Sequence, residues 1–138
     1  MVKLTEALLA EIAEKLDSGF ACYLHKETGT LVSFPDPLRF DTMEFADWEE
    51  AVDLVEENPS AYREIHSMPS RESFLVMQEF VENEVSDREV QARLIQALEG
   101  RKPFANFKQQ VHNSGSFREL WFAFHKKKLM DWVVSQME

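Results

Sequence analysis

Apolar residues recur along this chain with two periods, and the change from one to the other marks the elements. Leu8, Leu9, Ile12 and Leu16 fall at helical spacing behind Thr5, a residue suited to cap a helix, and the run Asp17, Ser18, Gly19 stops it. The next stretch, FACYLHKETGTLVSF, holds two short aromatic and aliphatic runs around KETGT. Gly29 there supplies the positive φ a tight loop needs, so the pattern predicts a β-hairpin over 20–34. PDP at 35–37 ends its second strand. Asp41 and Glu44 read as a capping box, and Phe45, Trp48, Val52 and Val55 then form one apolar stripe through a helix that stops at NPS. A brief run over 62–66 between two prolines predicts a third, edge strand.

The second half reads as helices throughout. Ser70 is placed to cap a helix whose Phe74, Met77 and Val81 share a face, and Ser86 with Glu89 reads as a second capping box. That box opens a helix with Val90, Leu94 and Leu98 inward and Gly100 at its close. Pro103 suits the first turn of a short helix bearing Phe104, Phe107 and Val111, which HNSGS interrupts. Ser116 with Glu119 then starts a long helix. On it Phe117, Leu120, Trp121 and Phe124 project to one side, with Leu129, Trp132 and Val133 rotated by about a quarter turn. The fold class expected is α+β, mainly helical: about six helices around a small antiparallel sheet. With no linker, repeat or low-complexity segment in view, one globular domain over 1–138 is expected.

Charge adds an asymmetry. The net charge is −10, yet residues 1–99 hold 22 acids and 8 bases while residues 100–138 hold 3 acids and 7 bases. Within the first part, residues 41–57 carry eight carboxylates and no base. Such a field repels nucleic acid and anionic membrane and attracts a basic surface. The opening MVKLTEALLAEIAEKLDSG has the long apolar run of neither a signal peptide nor a membrane span, and the single cysteine, Cys22, agrees with a reducing compartment. A cytoplasmic protein is expected.

Candidate chemistry is sparse. Cys22 and His25 lie three apart on a strand, so their side chains leave opposite faces and no shared metal site is expected. His66 follows a strand, His112 ends a helix and His125 sits at the margin of an apolar face, positions of capping or core-edge histidines. The helix acids are solvated, whereas a catalytic carboxylate pair needs two unlike environments. Phosphate-cradling loops, nucleophile elbows and HExxH are absent from the sequence, so no catalytic residue, cofactor or metal is assigned. The stretch 100–129 sets six aromatic rings among seven basic residues, but on helices the rings fall mostly to the core side and the cations to solvent. Single-strand binders keep both on one surface. Phe122 alone falls off the stripe.

The order YLHKETGTLV, MPSRESFLVMQEFV, ALEGRKPFANFKQQV and RELWFAFHKKKLMDWV resembles a bacterial family catalogued as uncharacterised protein family 0158, over about residues 5 to 135. The most specific elements are Gly100, Arg101, Pro103, Phe104, Phe107 and Lys108, and then Trp121 and Phe124 with a later Trp132. The resemblance implies a small bacterial cytosolic domain with no assigned activity or cofactor, and it brings no catalytic residues.

Together these features point to a non-enzymatic interaction module. Its working face would be Glu44, Asp47, Glu49, Glu50, Asp53 and Glu56, turned toward a basic protein partner. The alternative is weak nucleic-acid or phosphate binding by Arg101, Lys102, Lys108, Arg118, Lys126, Lys127 and Lys128. Nucleic acid is the disfavoured partner and a membrane is not expected.

Overall fold

The computed structural model describes residues 3–36 and 45–137, and among these it places six α-helices and one three-stranded antiparallel sheet, a mainly helical α+β fold. The Asp41–Glu44 capping box, and with it Glu44, lies outside the described residues, as does the side chain of Phe45. The chain gathers into two compact units. One takes in the residues up to Ser67 together with those from Met130 onward, and the other runs from Met68 to Leu129.

In the first unit, α1 (Glu6–Asp17) starts as its sequence indicates: the Thr5 hydroxyl accepts from the Leu8 amide at 3.1 Å. Gly19, at φ 85°, turns the chain out of α1 into β1 (Phe20–His25). β1 pairs antiparallel with β2 (Leu31–Pro35) on one side and β3 (Tyr62–Ile65) on the other, so β1 is central and β3 is an edge. Alternation along the strands then divides the sheet into two faces. Cys22, Leu24 and Ile65 pack with Ile12 and Leu16 of α1 and with Val133. Val32 and Phe34, with Ala21, Tyr23 and Tyr62, pack beneath Val55 and Val52 of α2 (Glu49–Glu57). Ahead of α2 the described residues 45–48 form a 3₁₀ turn, whose Trp48 meets Phe20 edge-on at 5.5 Å.

The second unit holds α3 (Ser70–Asn83), α4 (Arg88–Glu99), α5 (Pro103–His112) and the first part of α6 (Phe117–Met137). Two expected caps move by one residue. Ser70 is the first residue of α3 rather than its cap, because Pro69 occupies that position in extended conformation and its carbonyl accepts from the Ser73 amide. At α4 the cap is Asp87, not Ser86. Its carboxylate accepts from the Glu89 and Val90 amides at 2.9 and 3.1 Å, a charged acceptor at the positive end of the helix that outcompetes the neighbouring hydroxyl. Pro103 opens α5 as its sequence indicates, with Lys102 left-handed at φ 48° just before it.

Trp121 is the hub of this unit's core. Its ring meets Phe107 at 4.9 Å, Phe80 at 5.2 Å and Phe124 at 6.4 Å, while His125 stacks on it at 4.8 Å with an interplanar angle of 8°. Leu120, expected to share that stripe, is 47% exposed. It stands about 100° around α6 from Trp121, turned toward solvent. Phe122 is 49% exposed.

Candidate functional site

The carboxylates of α2 come together because the other side of that helix is committed to the sheet. Val55 is buried and Val52 and Ala51 are half-buried, which turns Glu49, Glu50, Asp53 and Glu57 to solvent. These four side chains and Leu54 line a shallow open depression of about 470 Å³. Of the six residues expected to form this face, Glu49, Glu50 and Asp53 line the depression. Asp47 and Glu56 are exposed but do not line it, and Glu44 lies outside the described residues. Two contributors stand outside that expected set: Glu57, one of the eight carboxylates of 41–57, and Leu54, which is 49% exposed. The signal for Leu54 was present, since it is an apolar residue standing off the Trp48–Val52–Val55 stripe. All four carboxylates are exposed, so the arrangement offers negative potential and one apolar contact rather than a proton-transfer pair.

The cations of 100–128 are not equivalent. Arg101, Lys102, Lys108, Lys126 and Lys127 are exposed. Lys128 is half-buried and tied up: its Nζ is 2.9 Å from Glu79 Oε2 and 5.4 Å from the centre of the Phe124 ring. Arg118 lies with its guanidinium 5.4 Å from the centre of the Phe122 ring, and its Nε is buried with no hydrogen-bond partner among the described residues. The three consecutive lysines also fan around α6 in steps of about 100°. The helix therefore does not gather its own four cations onto one surface.

Two of the four histidines, His25 and His125, make defined ring contacts. His25 Nδ1 accepts from the Glu27 and Thr28 amides at 3.2 and 3.1 Å and so fastens the hairpin turn, and its ring meets Tyr62 edge-on at 5.1 Å. Cys22 sits in the cluster on the other face of the sheet, so the two side chains diverge as the strand period requires. His66 Nε2 is 3.9 Å from Glu64, His112 is the exposed last residue of α5, and His125 stacks on Trp121. Burial, only partly offset by Lys15, pushes the Cys22 thiol up to about 12, which favours its protonated form at neutral pH. Burial, reinforced by Glu64, whose carboxylate accepts from the phenol at 3.3 Å, also raises Tyr23. Among the described residues, no three His, Cys, Asp or Glu side chains are grouped so as to hold a metal ion. No helix among them is long and apolar enough to cross a membrane.

These features define a mainly helical α+β protein with a carboxylate-lined helix face. The chain belongs to the Uncharacterised protein family (UPF0158), whose model matches residues 1–138. It is 28% identical over 85 residues to the UPF0158 protein PA5073 of Pseudomonas aeruginosa, an alignment that takes in 62% of this chain and 55% of that relative. The chain thus matches about half the length of the curated relative. No solved structure matches it.

Proposed function

We propose that this is a bacterial, cytoplasmic interaction module without catalytic activity of its own, in which the α2 face receives a basic protein partner. The observation that carries the reading is the convergence of Glu49, Glu50, Asp53 and Glu57 around the exposed Leu54. Exposed carboxylates steer a cationic surface toward the helix, and an apolar residue among them gives the encounter a contact that water does not provide. The bacterial relative supports the source, and the composition of the chain supports a charged, water-facing surface.

The test is a pull-down from bacterial lysate with the intact chain at low and high salt, run beside a variant carrying Glu49→Gln, Glu50→Gln and Asp53→Asn. A basic protein retained at low salt by the wild type and lost by the variant supports the reading. Equal capture by both overturns it.

A further inference from the structure

We propose that the groove between α3 and α4 seats one large apolar side chain of a basic peptide segment, with Glu82 and Glu99 receiving the cations that flank it. This goes beyond the α2 reading and stands on different residues. On α3, Phe74, Gln78, Val81 and Glu82 recur at the spacing that puts them on one stripe, and they face Ile95, Leu98 and Glu99 of α4 across the groove. Val81 and Leu98 are buried and form its floor. Ile95, 40% exposed, stands on the α4 wall, and Leu75, 47% exposed, lies within about 20° of Glu82 on α3, so apolar surface continues from the floor to the rim. Two contacts hold the walls in place. The Gln91 side-chain amide donates to the Val81 carbonyl at 3.0 Å, and Phe74 meets Phe104 of α5 edge-on at 6.4 Å.

Size and charge select the occupant. The groove encloses about 190 Å³, whereas pockets for small-molecule ligands run about 300 to 1,000 Å³. The space therefore suits one side chain of leucine or phenylalanine size better than a whole metabolite. The charged side chains that line it, Glu82 and Glu99, are both acids. They lie on opposite walls, and because α3 and α4 are joined by a short connection they run antiparallel, which sets Glu82 near the Gln91–Val81 bond and Glu99 two turns further along α4. An apolar anchor between two cations matches that order. The wider surround has the same sign: from Ser70 to Glu99 there are seven carboxylates and three arginines, with Arg93 paired to Glu89. Arg71, the cation of α3, precedes the groove lining by about a turn.

The test pans phage-displayed random linear peptides against the intact chain and then measures one enriched peptide, fluorescein-labelled, by anisotropy. Enrichment of a single Leu, Phe or Met flanked by Lys or Arg is expected. Ile95→Glu, and separately Glu82→Gln with Glu99→Gln, should each weaken binding by about tenfold or more, while Glu49→Gln, Glu50→Gln and Asp53→Asn together leave it unchanged. Circular dichroism melting of each variant separates lost binding from lost fold, and these exposed positions tolerate the changes. The proposal is overturned if no peptide is enriched, if the enriched peptides lack the apolar anchor or its cations, or if the groove variants bind as the wild type does. Loss of binding in the α2 variant alone would overturn the groove while leaving the α2 reading intact. A concentration-dependent dimer abolished by Ile95→Glu would assign the groove to a second copy of the chain and overturn the peptide.

Discussion

Trp132 donates its indole N–H to the main-chain carbonyl of His66 at 2.8 Å, joining positions 66 residues apart. The same carbonyl accepts from Gln136 Nε2 at 2.9 Å, and the His66 amide donates back to Gln136 Oε1 at 2.8 Å. One side-chain amide thus pairs with both backbone groups of the residue that follows β3, while Arg63 donates to the Gln136 carbonyl at 3.1 Å. An edge strand leaves unpaired backbone groups at its end, and the last turns of α6 satisfy them.

Gln136→Ala should therefore cost about 1 to 2 kcal/mol, the range for losing two solvent-accessible hydrogen bonds. His66→Ala should cost less than about 0.5 kcal/mol, because the contacts run through its backbone and its side chain is exposed. Thermal or urea melts of the two variants check this ordering, and a His66→Ala variant less stable than Gln136→Ala would contradict it.

The core of the second unit gives a sharper contrast. Trp121 is 6% exposed at the centre of four ring contacts, and truncating it to Ala should cost about 3 to 5 kcal/mol. Leu120→Ala, one position away, should change stability by no more than about 0.5 kcal/mol. Equilibrium unfolding in urea measures both, and equal effects would mean that α6 presents a different face to the core.

What could be read from the sequence divides along the same line as these two neighbours. Thr5, Gly29 and Pro103 act on residues within a turn or two of themselves, so cap, hairpin and helix start were all legible. Ser70 and Ser86 fit their motifs equally well but lost to Pro69 and Asp87, a competition between adjacent residues that a spacing rule does not rank. Helical period places Leu120 beside Trp121 without saying which edge of the arc a neighbouring helix covers. The α2 carboxylates were visible as a run, and Leu54 could have been found as the apolar residue on their side. The α3–α4 groove could not, because its walls come from stretches whose approach is set by packing.

Cys22 makes the protein's stability depend on alkaline pH. Its thiol is raised from 9.0 to about 12, mainly by burial. An acid whose folded-state pKa is raised adds stability that is fully present below its unfolded pKa, and that contribution is lost as pH rises between the two values. Stability should thus decline from about pH 9 toward about pH 12, and Cys22→Ala should flatten that part of the curve while lowering stability at neutral pH through lost packing. A thiol reagent such as dithionitrobenzoate should react with the native protein only after unfolding. Rapid labelling of the folded chain at neutral pH would show that the sulfur is accessible.

The last prediction separates the acidic from the basic reading of the surface. If the α2 face is the working one, neutralising Glu49, Glu50 and Asp53 together should slow association with a basic partner and leave the melting temperature nearly unchanged, since exposed charges contribute little to stability but steer encounter. If cations of the stretch 100–128 bind nucleic acid instead, affinity should fall steeply with salt and charge reversal at Lys126 and Lys127 should abolish it. Lys128 is not a clean probe of that question. Reversing it also breaks its contact with Glu79 and sets two like charges together, so its effect on binding would be mixed with an effect on the fold. The 22 acids of residues 1–99 oppose any polyanion, and binding to short DNA or RNA should be no tighter than about 10⁻⁴ to 10⁻⁶ M at physiological salt. Anisotropy titrations with both nucleic acids decide it: submicromolar binding that survives physiological salt and disappears with Lys126→Glu and Lys127→Glu would transfer the function from the carboxylates of α2 to the cations of α6.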